Sequence, residues 1–177
     1  QFVREAKDLN MGVDTASYNE LKQCLEEGMN PEKLVVTAAI KNRELMALAI
    51  EAGVLIIIDN NDEYALAEEV AENLQTKAKF GLRISGFTFE GSRLFSRFGF
   101  DICKVETFLT NNLRKTEKSG RLLYTGLHFH LNGYSTAQRG AALSQCLTLA
   151  HRLNEQGITT NFIDIGGGFL MNYLKEK

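Results

Sequence analysis

Short apolar runs rich in β-branched residues alternate with helix-period segments along this chain, and that alternation restricts the fold more than any other feature of the sequence. "YNELKQCLEEG" brings Leu21, Cys24 and Leu25 onto one helical face and stops at Gly28, a residue that tolerates the left-handed C-terminal conformation. A turn containing the only proline, Pro31, leads into "KLVVTAA", which reads as a buried strand. "NRELMALAIEAG" repeats the pattern with Leu45, Leu48 and Ala49 and stops at Gly53, before the run "VLIIID". "DEYALAEEVAENLQ" lines up Leu66, Val70 and Leu74, with Asp62 expected as its N-cap, and "AKFGLRI" comes next. A glycine-containing loop over 86–101 precedes a weaker helix near 104–117, the strand "LLYTGLHFHL", a long helix through "AALSQCLTLAHRLNEQG", and "TNFIDIGGG". With "MGVDTAS" at the front, about six strands are separated by helices. Such an order implies an α/β protein with parallel pairing and right-handed crossovers.

Two architectures satisfy that order: an open, doubly wound sheet or a (β/α)8 TIM-type barrel. The dinucleotide fingerprint GxGxxG does not open the first helix. Polar groups instead recur at the carboxyl ends of successive strands: Asp14, Thr37, Asp59, Arg83, His130 and the glycines from Gly166. Barrels build their sites on such a ring of strand ends, so the barrel is the expected fold. Closure needs eight strands and only about six are legible, so an incomplete portion of a barrel is expected.

At 177 residues with 44% hydrophobic content, the chain can bury a sizeable core as one domain. A net charge of -2 leaves no basic excess, which argues against nucleic acid or an anionic membrane as the main partner and favours a small molecule. Cys24, Cys103 and Cys146 are odd in number and form no CxxC pair, so reduced thiols in a cytoplasmic protein are expected. The longest apolar run, "GVLIII" at 53–58, is too short to span a bilayer, and "QFVREAKDLN" lacks the apolar stretch of a signal peptide.

Two stretches carry chemistry. In "IDIGGGF" a strand runs into Gly166, Gly167 and Gly168, where backbone N–H groups can converge on an anion with no Cβ in the way. A tight turn needing positive φ explains the same residues, but their place at a late strand end favours a phosphorylated ligand. In "GLHFHLNGYS" His128 and His130 stand two apart, so on one strand they share a face. His130 lies nearer the strand end, where a flat imidazole can stack on a planar ring; for His128 a hydrogen-bonded core role competes with a role in the site. No metal is expected: His151 sits in a helix, and no third ligand stands at suitable spacing.

Taken in order, "GVDTASYNEL", "NPEKLVV", "LRI", "SRFGFD", "GLHFHLNG" and "FIDIGGGF" resemble the barrel domain of the fold-type III pyridoxal-phosphate enzymes, most of all the diaminopimelate and ornithine decarboxylase group. The resemblance covers nearly the whole chain. It implies pyridoxal 5'-phosphate as cofactor, an amino-acid substrate, decarboxylation as the reaction, and a homodimer as the intact form. By the same resemblance His130 matches the histidine that stacks on the cofactor ring, and Gly166, Gly167 and Gly168 match the glycines that bind its phosphate. Glu20 of "SYNEL" matches the hydrogen-bond partner of that histidine, Arg83 an arginine of the polar network around the cofactor, and Asp14 an acidic residue near the active-site lysine.

Several departures accompany the likeness. Where the family has glycine and then a phosphate-contacting serine after the stacking histidine, this chain has Asn132 and Gly133, so that contact is lost or passes to Asn132 or Ser135. Arg97 stands where lysine is common. No lysine here matches the family's Schiff-base lysine, which precedes the first helix, and the acidic partner of the pyridine nitrogen would follow the glycine loop. Residues 1–177 are therefore expected to be the central part of the cofactor-binding barrel domain, with the lysine-bearing strand, the last strand and a C-terminal β domain outside it. Alone, such a piece would have little turnover; the alternative is a catalytically silent cofactor-binding or regulatory homologue on the same barrel.

Overall fold

The computed structural model describes residues 2–94, 96–116 and 120–168. Its helices are α1 (Phe2–Asp8), α2 (Tyr18–Glu26), α3 (Arg43–Ala52), α4 (Asn61–Asn73), α5 (Ile102–Thr116) and α6 (Thr136–Glu155). Its strands are β1 (Val13–Thr15), β2 (Leu34–Val36), β3 (Leu55–Ile58), β4 (Ala78–Ser85), β5 (Thr88–Phe89), β6 (Ser92–Arg93), β7 (Phe100–Asp101), β8 (Leu122–His128) and β9 (Phe162–Asp164). The main sheet runs β1-β2-β3-β4-β8-β9, all parallel, with β7 pairing the upper end of β4. Each new strand joins the edge made by the one before it and the order never reverses. A doubly wound sheet reverses its order at a switch point; this one curls in one direction as a half-barrel, the incomplete TIM-type arrangement expected.

The helix ends follow the local chemistry. Asn42 caps α3 by accepting from Leu45 N–H, and Gly53 closes it at φ +74°. Asp62 does not cap α4: Asn60 takes that place, its Oδ1 accepting from Glu63 N–H at 2.9 Å, while Asp62 lies in the first turn, where a carboxylate still favours the helix N-terminus. Within the stretch expected as a loop, residues 88–93 have regular structure: β5 and β6 form a small hairpin, and Gln145 of α6 clasps Thr88 through both backbone groups. Cys24 and Cys146 are buried free thiols and Cys103 is an exposed one. Among the described residues, no helix is long and apolar enough to cross a membrane.

Strand parity decides what reaches the site. Phe80 of β4 packs edge-on against Tyr64 of α4 and against Tyr124 of β8, so these positions face the helices. Gly81, Arg83 and Ser85 alternate with them and face the other, concave side. Between Phe80 and Gly81 the register with β8 shifts by one residue: Phe80 pairs with Tyr124 but Gly81 pairs with Gly126. The extra residue, Thr125, bonds its hydroxyl to Phe80 O at 2.9 Å. This shift re-aims β8, as bulges do, and brings Gly126 and His128 to the concave side. Phe162 of β9 then lies across the two glycines; a Cβ on Gly126 would come within 2.6 Å of its ring, and one on Gly81 within 3.1 Å.

Candidate functional site

Two residues beyond that glycine row, the register aligns Arg83, His128 and Asp164 on three neighbouring strands. Ile58 pairs with Leu82, so Asp59 continues the row beside Arg83. Two basic groups, Arg83 and His128, thus stand side by side across the carboxyl ends of β4 and β8, flanked by the acids Asp59 just past β3 and Asp164 of β9. Arg83 Nε is 3.5 Å from Asp59 Oδ1, and its guanidinium lies 4.9 Å above the centre of the Phe98 ring. His128, only 3% exposed, places Nδ1 2.8 Å from Asp164 Oδ2. The other oxygen of Asp164 accepts from Gly166 N–H at 2.8 Å. That hydrogen bond from His128, reinforced by the Gly166 amide, holds the Asp164 carboxyl below its ordinary range against the opposing effect of burial.

Of the two histidines, one packs and the other faces the open site. His128 belongs to the buried hydrogen-bonded row, whereas His130 lies past the end of β8 and is exposed. Partial desolvation by the surrounding protein is the main cause that lowers the pKa of His130, with the charges of Arg83, His128 and Arg139 adding to it and Asp14 opposing. The neutral ring is therefore the favoured form near neutral pH. His130, Arg83, Asn132, Tyr134 and Phe98 line a cleft of about 810 Å³ at this end of the sheet.

The glycine loop abuts His130 directly. A Cβ on Gly166 would stand 2.5 Å from Phe129 O and 3.1 Å from His130 Cα, so only glycine allows this approach. Gly166 and Gly168 have φ of +65° and +96°, and no positive φ intervenes at Gly167. Such alternation turns successive N–H groups toward one concavity. His130, Arg83 and Gly166–Gly168 are thereby gathered at one end of the sheet.

Asp14 is placed differently: it accepts a hydrogen bond from Thr37 Oγ1 at 2.5 Å, across β1 and the end of β2, and its charge reaches His130. Glu20 does not pair with His130. Its Oε2 accepts from Ala16 N–H at 2.6 Å while Ser17 Oγ accepts from Glu20 N–H at 3.3 Å, a reciprocal cap that commits the carboxylate to the start of α2. Ser135 also serves as a cap, its hydroxyl accepting from Gln138 N–H at the start of α6.

Sequence reasoning missed Asp164, Arg139 and the pair formed by Lys41 and Glu63. Asp164 had a signal: it is a lone carboxylate in the otherwise apolar "FIDI", and it needs a partner wherever that strand is buried. Arg139 had none, because the acceptors it meets in the glycine loop are backbone carbonyls of residues more than twenty positions away. Among the described residues, no three metal-ligating side chains cluster.

The fold and the grouping at its strand ends define a barrel domain whose candidate site sits where barrels carry their ligands. The family described as "pyridoxal-dependent decarboxylase, pyridoxal binding domain" matches residues 1–177, and the chain belongs to that family. It is 27% identical over 178 residues to a diaminopimelate decarboxylase of Campylobacter jejuni, covering 96% of this chain and 44% of that protein. A biosynthetic arginine decarboxylase of Bacteroides thetaiotaomicron is 24% identical over 184 residues, covering 98% of this chain and 29% of its own length. The crystal structure of a diaminopimelate decarboxylase from M. jannaschii superposes with a TM-score of 0.85 at 22% identity, over 99% of this chain and 42% of that one. The chain thus spans less than half the length of these relatives.

Proposed function

We propose that this chain is the cofactor-holding part of a pyridoxal-phosphate-dependent amino-acid decarboxylase, with a basic or dicarboxylic amino acid as substrate. The observation that carries the reading is the contact of the glycine loop with His130: a Cβ on Gly166 would meet Phe129 O and the Cα and Cβ of His130, so the side-chain-free loop and the residue bearing the neutral imidazole are neighbours at the strand ends. His130 would lie along the face of the pyridine ring, and the N–H groups of Gly167 and Gly168 would receive the phosphate. Arg83, held by Asp59 and by the Phe98 ring, keeps a cation beside the imidazole and disfavours its protonation. The residues present fit the group, since a Cβ at Gly166 would fill the place where the loop meets His130. When bound, the cofactor supplies an electron sink for the pair left by the departing α-carboxylate. The amino-acid substrates named for the relatives, diaminopimelate and arginine, define the class to test. A cytoplasmic setting and a homodimer belong to the same reading, and the three unpaired thiols support the former.

Asn132 and Gly133 in place of the family's phosphate-contacting residues, with the Ser135 hydroxyl engaged as a helix cap, favour one second reading: a homologue that holds the cofactor without turnover. Titrating the whole protein, of which residues 1–177 are proposed to be the cofactor-holding part, with pyridoxal 5'-phosphate while following absorbance and fluorescence tests cofactor binding. Release of carbon dioxide from diaminopimelate, arginine, ornithine and lysine then separates the two readings. Saturable binding with release from one of these acids supports the enzyme, binding with no release supports the silent homologue, and no binding refutes both. Sedimentation at micromolar concentration checks the dimer.

A further inference from the structure

Arg139 lies in the first turns of α6 and is 5% exposed, an unusual setting for an arginine. Its guanidinium donates to the backbone of the glycine loop: Nη1 to Gly167 O at 2.9 Å and, more weakly, to Ile165 O and Gly166 O at 3.4 Å, and Nη2 to Gly168 O at 3.2 Å. A rigid fork of donors suits such a set of acceptors, where the single ammonium of a lysine does not.

The peptide plane gives these contacts a consequence. In a trans peptide the C=O of one residue and the N–H of the next point in opposite directions. Holding Gly166 O and Gly167 O toward α6 therefore turns the N–H groups of Gly167 and Gly168 to the opposite side, and among the described residues neither makes a hydrogen bond. Gly166 N–H is already committed to Asp164 Oδ1, so the loop is fixed from two sides: the Asp164 carboxylate takes its first amide and the guanidinium takes its carbonyls. A buried cation behind the loop also favours an anion in front of it.

We propose that Arg139 is the positioning residue of the phosphate cradle, clamping the carbonyls of the Gly166–Gly168 loop so that its free N–H groups face the cofactor's anionic tail. The proposal rests on the cofactor reading above, and the test separates the two. The affinities of the whole protein for pyridoxal 5'-phosphate and for pyridoxal, which lacks the phosphate, are measured by fluorescence titration for the wild type, Arg139→Met and Arg139→Lys. Circular dichroism reports whether each variant is folded. A wild type that prefers the phosphorylated form, with that preference reduced about tenfold or more in the variants and pyridoxal affinity kept within about twofold, is the expected result. General damage to the site would weaken both ligands together and leave the ratio unchanged, so an unchanged ratio overturns the proposal. Full recovery by Arg139→Lys also overturns it, because charge alone would then suffice. If Arg139→Met does not fold, the lysine variant decides between these outcomes. A wild type that binds neither ligand refutes the cofactor reading itself, whereas one that binds both, with variants of equal ratio, refutes the clamp alone.

Discussion

Replacing Glu63 by glutamine should destabilise the protein more than almost any other change of a single atom pair. Lys41 is 4% exposed, and its ammonium has two close acceptors, Glu63 Oε2 at 2.9 Å and Ala38 O at 2.7 Å. The same carboxylate accepts from Asp59 N–H at 2.9 Å and Lys41 N–H at 3.3 Å, so it ties the end of β3 to the β2–α3 loop. Glutamine preserves the shape and one acceptor but leaves the buried ammonium without its counter-charge. Breaking a buried pair from one side costs about 3–5 kcal/mol. With a urea dependence of about 2 kcal/mol per molar, the midpoint should fall by roughly 1.5–2.5 M. The double variant Lys41→Met with Glu63→Gln removes the stranded charge and should recover part of the loss. The assay is equilibrium urea unfolding at pH 7 by circular dichroism, with the single and double variants forming a cycle. A loss below about 1 kcal/mol for Glu63→Gln, with no coupling in the cycle, would refute the argument, because that is the range of an exposed pair.

Three further outcomes are expected. The His130 imidazole should titrate below the ordinary histidine range in proton NMR, and Arg83→Gln should move it upward by removing a neighbouring cation; no movement would remove Arg83 from the site's electrostatics. Because the folded value lies below the unfolded one of about 6.5, the stability linked to His130 is present above that pH and is lost as pH falls through the folded value. Asp164→Asn should cost about 1 kcal/mol at pH 7 and progressively less as pH falls below about 3.9, measured by urea midpoints across a pH series, since the stability from a carboxyl held low is complete above its unfolded value and is lost as pH falls through the folded one; a cost that does not change with pH would show that its charge does not matter. Gly126→Ala would set a methyl 2.6 Å from the Phe162 ring and should lower stability by about 1–3 kcal/mol in thermal melts, with a neutral result showing that β9 can shift aside.

The alternation of periods in the sequence was enough to give the six parallel strands and the helices between them, because each helix and strand signals its own period locally, while their unreversed order in the sheet was expected only with the polar strand ends added. The placing of His130, Arg83 and the glycine triplet at the strand ends was legible too, and strand ends are where barrels carry their ligands. The Glu20 carboxylate answers a local demand that the sequence reading left out, the unpaired amides at the start of α2, and a local bond forms at little entropic cost. Asp62 lost the cap of α4 to Asn60 in the same way, by two positions in the chain.

What the residues determined alone is the pattern of elements and the chemical types available at the carboxyl ends of the strands. The tertiary structure decided which of them meet. Alternation by itself puts Tyr124, Gly126, His128 and His130 on one face, yet the one-residue register shift at Thr125 sends Tyr124 to the helices and His128 to the concave side beside Asp164. Arg139 reaches the glycine loop only because the start of α6 lies against the loop that follows β9, a proximity between residues more than twenty apart that no periodicity encodes. Register and packing are set by pairwise contacts across the sheet, so they exist only once the strands have come together.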